Sequence, residues 1–204
     1  VTGVQTCALP ISAAPVRRPD AVTHHTVTID GAPVAYTATV GFLPVADQNG
    51  VVKASFGYTA YTRDGGGDRP LTFAFNGGPG IASAYLHLGA LGPKMLVVND
   101  DGTVAPAPAG LAANPQTWLA FTDLVFVDPV GTGFSRSVPV EGKPTPNTEF
   151  WGVEQDVTWN ARFIRQYLTL SRRWSSPKFL VGESYGGFRV ARLSQYLEAD
   201  FGVQ

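Results

Sequence analysis

The hydrophobic texture of the chain changes at Pro70. Before it, apolar and polar positions alternate: Thr26 to Asp30, Val34 to Val40 and Val52 to Thr62 are rich in Val, Thr and Tyr, the pattern of half-buried strands. Asp30-Gly31 and Asn49-Gly50 separate them as turns, so an antiparallel set is expected. Asp64-Gly65-Gly66-Gly67-Asp68 makes the next connection. After Pro70 the pattern becomes short apolar runs, each followed by a glycine-rich turn and helical periodicity, which predicts a parallel sheet covered on both faces. Leu71 to Phe75, Leu124 to Val127 and Phe179 to Val181 are its strands. Val153, Val157, Ala161, Ile164 and Leu168 recur at helical spacing, with Glu154 and Asp156 early and Arg172 and Arg173 late, as the helix dipole favours. This predicts a crossover helix starting near Gly152. Further helices are expected from about Ala82 to Ala90 and after Gly187, where Val190, Leu193 and Leu197 share a face. Ala105 to Pro115, biased in Ala and Pro, reads as a long irregular loop.

Composition narrows the class. A chain of 204 residues, 44% hydrophobic and 15% charged, has the balance of one packed α/β unit, and no repeat or composition shift marks a second domain. The formal net charge is -1 and no basic cluster exceeds Arg17-Arg18 or Arg172-Arg173, which removes the electrostatic case for nucleic acid or a membrane surface as partner. No apolar run reaches the roughly 20 residues of a membrane-spanning helix. The single cysteine, Cys7, allows neither an internal disulfide nor a cysteine metal site. Residues 1–11 resemble a translated sequencing adapter more than a protein segment: Gln5 and Thr6 interrupt the apolar stretch and no basic residue precedes it, unlike a signal peptide. Residues 12–23 read as an extended leader, with Ser12-Ala13-Ala14 compatible with the mature side of an export signal. Residues 24–204 are then expected to be the N-terminal portion of one domain.

The chemistry centres on Gly182-Glu183-Ser184-Tyr185-Gly186. A Gly-x-Ser-x-Gly pattern puts a serine on a tight strand-to-helix turn, where small flanking residues relieve crowding and expose the hydroxyl. An apolar strand leads into it and a helical pattern leads out, as such a turn requires. Acyl transfer also needs main-chain N–H donors for the developing oxyanion; Tyr185, after the serine, offers one, and Asn76-Gly77-Gly78-Pro79-Gly80 lies after an earlier strand where a second is expected. That turn lacks the Gly-Lys-Ser/Thr of a phosphate loop. Gly131-Thr132-Gly133-Phe134-Ser135-Arg136 lacks the third glycine of a dinucleotide fingerprint, so no cofactor is implied, and no metal.

Three segments together resemble the serine carboxypeptidase family: Asn76 to Gly80, Asn114 to Ser135 ending in Asp128-Pro129-Val130-Gly131-Thr132-Gly133-Phe134-Ser135, and Gly182 to Gly187. They stand in the family's order, and the resemblance covers about residues 30–204. It implies an α/β-hydrolase fold, Ser184 as nucleophile, and the N–H groups of Gly78 and Tyr185 as oxyanion hole. It further implies that Asn76, Gly77 and Glu183 hold the free C-terminal carboxylate of a peptide substrate. Two carboxyl groups bond each other only when they share a proton, so activity is expected to favour acidic pH. The family's Trp two residues before the Asn and its acidic residue ahead of the Gly-Pro closing the next helix are Ala74 and Ala90 here, which keeps esterase or acyltransferase chemistry open. A non-catalytic binding relative is the third reading. Ile81 replaces the family's usual cysteine, as in a disulfide-free, bacterial branch. The resemblance also implies export.

A serine hydrolase needs a histidine base and an orienting acid, which in α/β-hydrolases follow the serine. No histidine follows Ser184. His24 and His25 in an early strand and His87 in a helix read as structural, Asp128 as a turn residue and Asp200 as a solvated helix end. The chain is thus expected to be a piece without base or acid and inert by itself, since loss of the base typically costs on the order of a millionfold in turnover. Its sheet is expected to end at the nucleophile strand with an unpaired edge.

Overall fold

The computed structural model describes residues 19–203 apart from 105 and 107. The adapter-like residues 1–11, Cys7 among them, and the leader up to residue 18 lie outside the described residues. Strand β1 (Ala21–Ile29) already begins within the expected leader. It turns into β2 (Ala32–Ala46) through Asp30 and Gly31, whose φ of 49° and 78° are the paired left-handed conformations of a two-residue hairpin. β2 pairs in turn with β3 (Val52–Arg63), and Asp47 shapes the connection by accepting the N–H groups of Asn49 and Val51 at 2.9 and 3.0 Å. All three strands outrun the expected stretches; the extension of β2 over residues 41–46 carries Leu43 and Val45 into the core.

The next strands are β4 (Leu71–Phe75), the short antiparallel pair β5 (Lys94–Leu96) and β6 (Leu111–Ala113), β7 (Asp123–Val127), β8 (Arg136–Ser137) and β9 (Lys178–Gly182). The main sheet runs β1-β2-β3-β7-β4-β9, with β8 alongside β3. β7, β4 and β9 are mutually parallel and β3 joins β7 antiparallel, so the sheet is mixed. Among the described residues β9 pairs with β4 alone and forms the edge, with Phe179 exposed. β6 replaces part of the irregular loop expected over 105–115; its exposed Leu-Ala-Ala has no alternation to mark it.

The helices are α1 (Ala84–Leu86), α2 (Thr148–Trp151), α3 (Val153–Ser171) and α4 (Tyr185–Phe201). α1 was expected to run on to Ala90; instead it widens into a π turn over His87–Leu91, closed by the Gly92 N–H on the His87 carbonyl at 3.1 Å. That turn carries the His87 ring onto Phe126, with centroids 4.6 Å apart. No helix among the described residues is long and apolar enough to cross a membrane.

Strand period explains how both faces of the central strands are buried. Phe73, Phe75, Val125 and Val127 face α3 and α4, meeting Phe163, Ile164, Leu168, Leu193 and Leu197. Ala74, Leu124 and Phe126 face the other way, toward Tyr36, Tyr61, Leu91 and Leu119. At the N-terminal ends of the parallel strands Asp123, 1% exposed, accepts from Arg69 at 3.1 Å and Arg173 at 2.8 Å. Arg173 also reaches the Arg69 carbonyl at 2.7 Å. Removing the carboxylate strands two part-buried guanidinium groups, so we predict that Asp123→Ala lowers stability by about 3–5 kcal/mol. A urea melt checks this; an unchanged midpoint would show the cluster to be idle.

Candidate active site

The three parallel strands deliver their carboxyl ends to one place, the usual location of a site in an open α/β sheet. Asn76 follows β4, Asp128 follows β7, and Glu183 and Ser184 follow β9. Ser184 is the exposed N-cap of α4, with φ 56° and ψ -124°, a region that residues with a β-carbon seldom occupy. The turn closes through Gly186 N–H on the Glu183 carbonyl at 2.8 Å and Gly187 N–H on the Ser184 carbonyl at 2.9 Å. It is so tight that a Cβ at Gly182 would collide with the Gly186 carbonyl, and one at Gly186 with the Phe75 carbonyl. Packing of Gly186 against β4 lets α4 start at Tyr185, earlier than the stripe after Gly187 predicts. The positive end of the α4 dipole therefore points at the serine turn.

The turn after β4 presses on the same spot. A Cβ at Gly77 would stand 2.7 Å from the Glu183 carbonyl oxygen and 2.8 Å from both Ser184 Cβ and Tyr185 N. Gly78 has φ 107°, open to glycine but not to residues with a side chain. Asn76 is buried; its Oδ1 accepts the Leu86 N–H at 3.0 Å, which turns Nδ2 toward Glu183 Oε2, 3.4 Å away and 107 residues later in sequence. All six residues singled out in the sequence, Asn76, Gly77, Gly78, Glu183, Ser184 and Tyr185, thus converge. A cavity of about 280 Å³ opens beside Tyr185, walled by Pro79, Val130, Phe150, Trp151 and Arg189.

The histidines lie elsewhere. His24 and His25 engage Thr37 and Thr23 on the outer strands. His87 Nε2 bonds the Tyr61 hydroxyl at 2.5 Å, and burial pushes its imidazole down to about 4, against an opposing pull from the Asp128 carboxylate. Neutral at ordinary pH, it is the hydrogen-bond partner of a buried tyrosine. Asp128 holds two loops together: Oδ1 takes the Ser83 N–H at 3.0 Å and Oδ2 the Phe134 N–H at 3.1 Å. Among the described residues no three His, Cys, Asp or Glu side chains cluster as a metal site. Sequence reasoning missed Arg189 and Asp156, a buried pair at 2.7 Å beneath the site. The available signal was position: Arg189, Leu193 and Leu197 fall on one helical stripe, where a charge is out of place unless paired.

Known proteins are similar to this chain in sequence. Residues 30–200 match the family model described as serine carboxypeptidase. A serine carboxypeptidase family member of Dictyostelium discoideum is 32% identical over 130 residues, covering 63% of this chain and 28% of the relative. Serine carboxypeptidase-like 45 of Arabidopsis thaliana is 27% identical over 195 residues, 93% of this chain and 38% of the relative. The pheromone-processing carboxypeptidase KEX1 of Saccharomyces cerevisiae is 36% identical over 134 residues, 64% of this chain and 17% of that protein. The chain therefore spans well under half the length of these curated relatives. With the match running from the β1–β2 turn through the serine turn and nearly to the end of α4, the chain belongs to the serine carboxypeptidase family.

Proposed function

We propose that Ser184 is the nucleophile of a serine-type carboxypeptidase built on the α/β-hydrolase fold. The observation that carries this reading is the conformation of Ser184: exposed, at φ 56° and ψ -124°, on the junction of β9 and α4, with the glycine turn after β4 packed directly against it. In this reading the serine oxygen attacks the carbonyl of the last peptide bond and its proton passes to a histidine. The oxyanion is received by the N–H groups of Gly78 and Tyr185, and the leaving amino acid takes the proton. Water then hydrolyses the acyl-enzyme. His24, His25 and His87 are all engaged away from the serine, so the base and its orienting acid are assigned to sequence outside these residues. Export of the protein is part of the same proposal and rests on the resemblance alone.

Asn76, Gly77 and Glu183 are assigned to the substrate's terminal carboxylate. Their pairing with it needs one proton shared between the Glu183 carboxyl and the substrate, so binding takes up a proton and weakens as pH rises. In the full-length gene product we predict turnover of a blocked dipeptide acid at least about tenfold faster than its amide, the worth of a charged hydrogen bond. The advantage should shrink from about pH 5 to pH 9 as the shared proton is lost. A rate on the acid that climbs steadily over that range would overturn the assignment. Equal rates on acid and amide, with Ser184 still essential, would favour an esterase or acyltransferase. That alternative draws on Ala74, which lies in the sheet core where the family carries Trp, and on Ala90.

A further inference from the structure

Arg189 sits on the inward side of α4 and is 1% exposed. A guanidinium at that depth persists only where its N–H groups meet acceptors. Its Nε donates to Asp156 Oδ2 of α3 at 2.7 Å, its Nη1 to the main-chain carbonyl of Asn76 at 2.8 Å and its Nη2 to that of Pro79 at 3.3 Å. The same group lies over the rings of Tyr185 and Phe75, 5.3 and 5.9 Å from their centroids. Asp156 is steadied in turn by Asn160 Nδ2 at 3.0 Å.

The two carbonyls that Arg189 holds bracket Gly77 and Gly78. Neither glycine has a side chain to anchor it, and Gly78 at φ 107° occupies a conformation reached through glycine's freedom. Such a turn is soft by itself, yet an oxyanion donor must be fixed before charge develops. A planar guanidinium is suited to the task, because its donors diverge at fixed angles and can set two carbonyls at once. Arg189 also stands on the helix that begins at Tyr185, the other proposed donor. Its ion pair with Asp156 is weak evidence for stability, since a buried pair is often replaceable by apolar residues. The destination of its other two N–H bonds is what distinguishes it.

We infer that Arg189, backed by Asp156, is a positioning residue for acyl transfer: it locks the main chain from Asn76 to Pro79 against α4 so that the Gly78 and Tyr185 N–H groups converge on one oxygen. The inference rests on the reading of Ser184 as nucleophile.

The test uses the full-length gene product and Arg189→Lys. An ammonium restores the charge opposite Asp156 but cannot span three separated acceptors. Expected are an unchanged fold by thermal melting, kcat lower by about a hundredfold and KM within about threefold, the signature of an interaction made in the transition state. Labelling of Ser184 by a fluorophosphonate, which forms a tetrahedral adduct, should slow in parallel. If the lysine variant does not fold, the double variant Asp156→Leu with Arg189→Met leaves no unpaired charge and carries the same expectations. Wild-type kcat in a folded variant overturns the inference, as does activity that merely follows the folded fraction. Labelling of Ser184 in the wild-type protein keeps the nucleophile reading intact in that event; an active wild-type enzyme whose Ser184 takes no label overturns the nucleophile reading itself.

Discussion

Ser184→Ala and Ser184→Gly should each remove turnover of a peptide acid by about a millionfold in the full-length gene product, and the glycine variant should be the more stable of the two. The first half follows from chemistry: without Oγ no acyl-enzyme forms, and what remains is binding and oxyanion stabilisation. The second half follows from the backbone. At φ 56° and ψ -124° a β-carbon costs of order 1–3 kcal/mol, a strain that alanine keeps and glycine releases. Allowing for glycine's greater freedom in the unfolded chain, the gap should be about 1 kcal/mol in a urea melt. Parallel kinetics and melts on the two variants decide the matter. An active alanine variant would remove Ser184 from the chemistry, and a glycine variant no more stable than alanine would remove the strain.

The next largest effect is expected at Gly77. Its α-carbon faces Ser184 and Tyr185 so closely that a methyl group there would lie 2.7 Å from a carbonyl oxygen and 2.8 Å from Tyr185 N, where only main chain can give way. Gly77→Ala must therefore push the two turns apart. Displacement of a reacting group by about 1 Å costs on the order of a hundredfold in rate, and that is the minimum loss in kcat/KM predicted here. Gly80→Ala is the matched control, since a Cβ there meets nothing within 4 Å. It should change stability by no more than about 0.5 kcal/mol and, since its methyl would enter only the open cavity, cost far less in kcat/KM than Gly77→Ala. Comparable loss in both variants would mean that the loop as a whole, and not its contact with the serine, is sensitive.

Legibility in the sequence followed the range of the interactions concerned. The α3 stripe and the apolar runs of β4 and β7 were readable because each is set by its own period: Val157, Ala161, Ile164 and Leu168 are buried where expected, while Val153, in the first turn of the helix, is 41% exposed. The serine turn was readable because its Gly-x-Ser-x-Gly pattern is local, and the demand at Gly182 is set within the turn, although that at Gly186 comes from the distant Phe75 carbonyl. The placement of β4 between β7 and β9 was not, since strand order is decided by crossovers and not by any one segment. Arg173 shows the same limit in one side chain. Its position near the end of α3 suggested a partner for the helix dipole, but its guanidinium bonds Asp123, 50 residues away, and the Arg69 carbonyl, 104 residues away. Asp156, placed early in α3 for the same dipole reason, instead meets Arg189 33 residues on. Asn76 and Glu183 were paired beforehand only through the family resemblance, because nothing local in either segment points to the other.

The Asp123 cluster and the serine turn occupy opposite ends of the same three strands. Arg69, Asp123 and Arg173 gather where β4, β7 and β9 begin; Asn76, Asp128 and Ser184 gather where they finish. Each parallel strand, five residues long, thus separates a tie that holds the sheet from a turn that presents chemistry. Such an arrangement makes the protein modular under mutation. Outside the close-packed glycines, substitutions at the finishing end can retune what is bound without loosening the anchorage at the starting end. Variation would then be tolerated unevenly along each strand, by a rule of geometry and not of distance from the serine in sequence.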